Sequence, residues 1–135
     1  MNIPLKAEYS LKALLELSLH WPKQGPLAVN IISRQQKIPL KFLTQILLSL
    51  KSMGLVESIR GKQGGYILKK NPSKISVLDV LSPYIKGPGK HKSRSMIDQI
   101  LDESDIQMMG HLAKINFDDI VKRERTSAKA PMYTI

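Results

Sequence analysis

Between Leu40 and Met53 apolar side chains return every three or four residues: Leu40, Leu43, Leu47 and Leu50, with Ile46 and Met53 beside them. That period predicts an amphipathic helix with one apolar face. Pro39 suits its first turn, and Gly54 suits the left-handed position just past its end. The opposite face carries Lys41, Thr44, Gln45, Ser49 and Lys51, with Phe42 at its edge. Amide, hydroxyl and cationic groups of this kind meet base edges and phosphates, and they also suit an ordinary solvated helix face. After the glycine the pattern changes. Leu55–Ile59 and Tyr66–Leu68 are β-rich, and they bracket Arg60-Gly61-Lys62-Gln63-Gly64-Gly65. This predicts a hairpin with a basic tip.

Upstream, Glu8–His20 is apolar over most of its circumference, which predicts a helix buried on more than one side. Pro22, Gly25 and Pro26 end it. Residues Val29–Gln36 form a short second helix with Val29, Ile31 and Ile32 inward and Arg34 and Gln35 outward. A turn at Lys37-Ile38, without glycine, then leads into the polar-faced helix. Two helices joined by a tight turn make a helix-turn-helix, and the hairpin adds a wing.

Downstream, Asn71-Pro72 breaks the chain. Ser76 with Asp79 forms a capping box for a helix from Val77 towards Lys86, which Pro83 must kink or shorten. The segment GPGKHKSRS over 87–95 is small and basic. Met96–Lys114 is a long helix with Ile97, Ile100, Leu101, Met108 and Leu112 near helical spacing, interrupted at Ser104 and Asp105. Such a stripe outside the winged unit calls for a partner: its twin in a dimer, its own first helix, or both. Asn116 and Asp119 mark a short helix, Phe117–Arg123. The fold expected is mainly α with a small β-hairpin wing. Residues 1–87 form a winged helix-turn-helix domain, 88–95 a flexible loop, 96–123 a dimerisation helix with a short docking helix, and 124–135 a disordered tail.

Charge sharpens the picture. The 135 residues carry a formal charge of +10, unevenly spread. Residues 1–95 hold 16 Lys and Arg against 4 Asp and Glu, a net +12, and residues 96–135 hold 5 against 7, a net −2. The half with the polar helix and the wing is therefore the half that attracts an anionic partner. Absence of cysteine excludes disulfides, thiolate metal sites and thiol chemistry within this chain. No apolar run reaches a membrane span and no signal-peptide pattern opens the chain, so the expected location is the cytoplasm, at the nucleoid, with a plastid of bacterial ancestry left open. An enzyme is not indicated. The hairpin lacks P-loop spacing and opens no helix, Asp118 and Asp119 diverge on a helix, and no triad or metal set is present. His91 and His111 stand alone, without metal-site spacing. Two readings stay in play: a DNA-binding regulator, and a protein-interaction module that docks its basic face on an acidic partner.

At these residues the chain resembles the Rrf2 family of bacterial winged-helix transcription regulators. YSLKALLELSLH is similar to the family's opening helix, and ISVLDVLSPYIKG to the helix after its wing. KIPLKFLTQILLSLKSMGLVESIRGKQGGYIL is similar to its recognition helix and R-G-x-x-G-G-Y wing, and NFDDI to its T-L-x-D-L. The resemblance implies a homodimer on a pseudo-palindromic operator in double-stranded DNA, with the long helix crossing between subunits; the spacing along that helix makes Ile97, Ile100, Leu101, Met108 and Leu112 the expected dimerisation residues. It implies reading by Lys41, Phe42, Thr44 and Gln45 and a wing contact by Arg60. Arg34, Ser49, Lys62 and Gln63 complete the expected DNA-facing set.

Three departures matter. Thr44 stands where the family often has Glu, so base preference should differ there. Pro39 replaces a serine cap. The stretch GPGKHKSRSMID lacks the three cysteines through which many members hold an iron–sulfur cluster, and Glu8 and Asp98 cannot hold one with oxygen alone. No cofactor and no metal is expected. Any signal would then come from a small-molecule effector or a regulatory protein.

Overall fold

The structure, a computed structural model, describes residues 1–22, 25–85, 87 and 95–129. The order is α1 (Leu5–Leu19), α2 (Val29–Gln36), α3 (Leu40–Ser52), β1 (Val56–Ile59), β2 (Gly65–Leu68), a 3-10 turn (Pro72–Lys74), α4 (Val77–Leu81), α5 (Met96–Lys114) and α6 (Phe117–Lys129). The two strands pair antiparallel, with Val56 opposite Leu68 and Ile59 opposite Gly65. Mainly helical with one hairpin, the fold is the class the pattern predicts.

One core joins these elements. Leu14 and Leu17 of α1, Ile32 of α2, and Leu43, Ile46, Leu47 and Leu50 of α3 are buried together with Leu55, Val56, Leu68, Val80 and Leu81. Leu112 of α5 and Phe117 of α6 belong to the same cluster. Two apolar positions expected inward are not. Ile31 is 38% exposed, because a step of one residue from buried Ile32 turns it roughly 100° away. Leu40 is 49% exposed, because the buried face of α3 centres on Leu43, Ile46 and Leu50, and Leu40 sits roughly 70° off that centre.

The local stops follow from backbone chemistry. Gly54 takes φ +78°, the Gly54 N–H donates to the Lys51 carbonyl at 3.0 Å, and the Leu55 N–H donates to the Leu50 carbonyl at 3.1 Å. This pairing closes α3 as a Schellman motif, with buried Leu50 and Leu55 as its apolar contact. The turn between α2 and α3 has no glycine, and Lys37 itself adopts the left-handed conformation, φ 55° and ψ 47°. Ser33 braces it: its Oγ donates to the Ile38 carbonyl at 2.6 Å, and the Ile38 N–H donates back to the Ser33 carbonyl at 3.0 Å. Pro39 lies at the N-cap of α3 rather than inside its first turn.

Ser76 and Asp79 form the capping box foreseen for α4, and Asn116 and Asp119 exchange the same pair of bonds at the start of α6. Helix α4 is shorter than the span to Lys86, ending at Leu81 just before Pro83. Helix α6 is longer than Phe117–Arg123 and carries on to Lys129, so the first six residues of the expected disordered tail are helical. Two contacts accompany the extension: the Thr126 hydroxyl on the Lys122 carbonyl at 2.9 Å and Arg125 Nη2 on the Leu19 carbonyl at 3.3 Å. The rest of that tail, 130–135, and residues 88–94 of the expected loop lie outside the described residues, as does His91.

A candidate nucleic-acid interface

Helix α3 is pinned to α1 and α2 through its buried stripe, which fixes what its other face presents. Lys41, Thr44 and Gln45 are all exposed there. Thr44 Oγ1 donates to its own helix, to the Leu40 carbonyl at 3.1 Å. Phe42 is half-buried at the edge. Its ring lies 6.4 Å from that of Tyr9 on α1, and the Lys41 ammonium sits 5.1 Å above it. Phe42 thus holds Lys41 in place as much as it faces outward. Ser49 is half-buried too, beside Lys6, Pro83 and Tyr84, at the margin of the outward face. No side chain caps the N-terminus of α3.

The wing stands beside this face. Lys51 Nζ in the last turn of α3 reaches Ser58 Oγ on β1 at 3.5 Å. Arg60, Lys62 and Gln63 are exposed at the hairpin tip. The glycines behind the tip serve close packing. A Cβ on Gly65 would overlap the carbonyl of Leu27, whose backbone pairs with Tyr66 on both sides, at 2.9 and 3.0 Å. This rung between the α1–α2 connection and β2 anchors the wing on the body. Nothing in the pattern of apolar positions announced it, since a single bridge has no period.

Arg34 is exposed on α2, one helix away from the outward face of α3. The structure therefore brings Lys41, Thr44 and Gln45 together on one surface, with Ser49 and Phe42 at its edge and Arg60, Lys62 and Gln63 on the adjoining tip. One member of the outward face was missed. Leu48 is 54% exposed on it. Its apolar character hid it, although the 3.6-residue period already turns it away from Leu43, Ile46, Leu47 and Leu50.

The stripe on α5 divides. Ile97, Ile100 and Leu101 are 64%, 49% and 46% exposed, whereas Leu112 is 7% exposed and Met108 packs against the core. Leu112, expected on the dimerisation face, is thus a core residue of its own chain, because the C-terminal part of α5 is pulled against the body by the joint to α6. Tyr84 meets Ser10 of α1 hydroxyl to hydroxyl at 3.4 Å.

A helix, a tight turn, a polar-faced second helix and a basic two-stranded tip define a winged helix-turn-helix. The family follows from comparison. The model of the Rrf2 family, described as an iron-dependent transcriptional regulator, matches residues 3–123, and this chain belongs to that family. The chain is 40% identical over 82 residues to the HTH-type transcriptional regulator IscR of Pectobacterium atrosepticum, covering 61% of this chain and 49% of that one. It spans about half the length of the curated relatives it matches. Among solved structures, IscR of T. potens superposes with a TM-score of 0.83 at 26% identity, over 98% of this chain and 94% of that one. CymR, the global cysteine regulator of B. subtilis, superposes with a TM-score of 0.81 at 23% identity, over 91% and 98%.

The family description implies iron, and the donor set here does not fit an iron–sulfur cluster. The chain has no thiolate to offer. Among the described residues no three His, Asp or Glu side chains stand close enough to share an ion. Glu8 is committed to an ion pair with Lys12 at 3.2 Å.

Proposed function

We propose that the protein is a sequence-specific DNA-binding transcriptional regulator that acts as a homodimer on a pseudo-palindromic operator. The observation that carries this reading is the joined surface of α3 and the wing: Lys41, Thr44 and Gln45 exposed on one face, with Arg60, Lys62 and Gln63 on a tip anchored beside them. Helix α3 enters the major groove, where amide and hydroxyl groups read base edges. Arg60 reaches the adjacent minor groove, whose negative potential is greatest where A·T tracts narrow it. Lysines 41, 51 and 62 and Arg34 neutralise phosphates, which supplies affinity without sequence preference.

Dimerisation runs through the exposed first half of α5, where Ile97, Ile100 and Leu101 form an apolar row left uncovered among the described residues. Two reading helices are then related by a two-fold axis, which a palindrome mirrors. Control does not use an iron–sulfur cluster held by this chain alone. A small-molecule effector or a regulatory protein takes its place, or the protein acts constitutively. No helix among the described residues is long and apolar enough to cross a membrane. A DNA-binding role calls for a compartment that holds DNA, and we take this to be the bacterial cytoplasm.

The test is selection of DNA from a random pool by the purified protein at near-physiological salt without added metal. The expected result is an enriched pseudo-palindrome whose half-sites lie about one helical turn, or a multiple of it, apart. Absence of enrichment, with only weak salt-labile binding, would overturn the reading in favour of docking on an acidic protein.

A further inference from the structure

The face that α3 presents is not uniformly polar. Leu40 is 49% exposed and Leu48 is 54% exposed. With Thr44 between them they fall at steps of four, so the three side chains form one ridge along the helix. The hydroxyl proton of Thr44 is committed to the Leu40 carbonyl at 3.1 Å, which leaves its γ-methyl and lone pairs for anything that approaches. Four residues of helix rise about 6 Å, so the ridge is about 12 Å long, the span of three to four stacked base pairs.

Single exposed leucines are ordinary on a protein surface. These two share one ridge, and cations flank it: Lys41 and Lys51 on α3 itself are both exposed. An apolar protein patch does not suit a ridge fenced by cations, whereas a polyanion with apolar groups on its groove floor does. In the major groove the apolar substituent that projects from a base edge is the C5-methyl of thymine, and 5-methylcytosine carries the same group. A leucine pressed on any other edge strips water from donors and acceptors that it cannot satisfy.

We propose that the Leu40–Thr44–Leu48 ridge reads C5-methyl groups of pyrimidines in the major groove, with Leu48 as the principal contact. This rests on the DNA-binding reading above and adds to it a class of base edge. Lys41 and Gln45, in the adjoining row, supply the polar contacts. The result is a half-site with at least one position where a C5-methylated pyrimidine is preferred for its methyl group rather than for a particular pattern of hydrogen bonds.

The experiment uses the operator recovered by selection. Each thymine is replaced in turn by deoxyuridine, which removes the methyl and nothing else, and each cytosine by 5-methylcytosine. Affinities are measured for the wild-type protein, Leu48→Ala and Leu40→Ala. Both leucines are exposed, so these variants keep the core, and unchanged melting checks this. At one position per half-site, loss of the methyl is expected to weaken wild-type binding by about fourfold, the worth of one buried methyl-sized group. Leu48→Ala should be insensitive to the methyl at that same position and keep the wild-type response to base changes at the other positions. A thymine-to-uracil effect assigns the source as thymine, and a gain on cytosine methylation assigns 5-methylcytosine. If a specific operator is found and no methyl effect depends on Leu48 or Leu40, the ridge does not read methyl groups, while DNA recognition stands. If no specific operator emerges, the DNA-binding reading falls and takes this inference with it.

Discussion

Lys51 Nζ lies 3.5 Å from Ser58 Oγ, so the last turn of the proposed recognition helix touches the first strand of the wing. Both residues are exposed, and a contact of this length in water contributes little to folding. Its interest lies in where it puts a cation. A DNA backbone running between α3 and the wing passes this ammonium. Lys51→Gln is expected to leave thermal stability unchanged and to reduce the dependence of log affinity on log salt by about one unit. Titrations of one operator at several salt concentrations measure this slope. An unaltered slope would remove Lys51 from the phosphate contacts.

Arg60 sits exposed where the wing turns. Arg60→Ala should weaken binding to every DNA tested and weaken it most on operators whose flanks form a narrow A·T minor groove. Comparing A·T-rich with G·C-rich flanks separates the two effects. Equal affinity of variant and wild type on both would exclude the wing tip from binding.

Gln45 and Thr44 face outward on the polar side of α3. Changing Gln45 to Ala should alter which bases are preferred, with a loss of about 1–3 kcal/mol at one position of the half-site and little effect at the others. Repeating the selection with the variant reads this out. A uniform loss on all sequences would mean that Gln45 contacts backbone only.

Leu101 and Leu112 lie on the same helix and predict opposite phenotypes. Leu101 is 46% exposed, so Leu101→Asp should yield a folded monomer with poor operator affinity, seen by sizing and by binding. Leu112 is buried in its own chain, so Leu112→Ala should cost about 2–5 kcal/mol of stability in denaturant unfolding. A dimer that survives Leu101→Asp would move the interface away from this part of α5.

The two strained or crowded backbone positions give stability tests. At Lys37, a β-branched residue is incompatible with the left-handed conformation, and Lys37→Val should cost about 1–2 kcal/mol while Lys37→Gly costs nothing or stabilises. At Gly65, even a methyl overlaps the Leu27 carbonyl, so Gly65→Ala should cost about 1–3 kcal/mol and loosen the wing. Chemical unfolding checks the energies, and amide exchange at Tyr66 checks the loosening.

Much of this architecture was legible because it rests on period and on chain-local chemistry. The stripe through Leu43, Ile46, Leu47 and Leu50, the stop at Gly54 and the boxes at Ser76–Asp79 and Asn116–Asp119 are all written within a few residues of where they act. What was not legible depends on which neighbour arrives. Leu112 and Ile97 belong to one sequence stripe, yet only the first meets the core. Helix α6 outlasts its expected end, and there Arg125 meets the Leu19 carbonyl, a partner 106 residues away that no local pattern announces. Leu48 escaped notice for a different reason: leucine reads as core until its angular position is weighed against its neighbours. Gly65 looked like turn chemistry, and its tighter requirement comes from the Leu27 backbone, far off in sequence.

Ser76 and Asn116 face each other as a bridge, flanked by the Val77 N–H on the Ile115 carbonyl at 2.8 Å and the Phe117 N–H on the Ile75 carbonyl at 3.0 Å. Each residue also caps the helix that it starts. Two helix origins are thereby riveted back to back, one just after the wing and one just after α5. In the proposed dimer this makes each subunit a stiff jaw of a calliper rather than a reading head on a tether. The gap between the two jaws is then a built dimension, and an operator with one base pair inserted at its centre would be measured and refused.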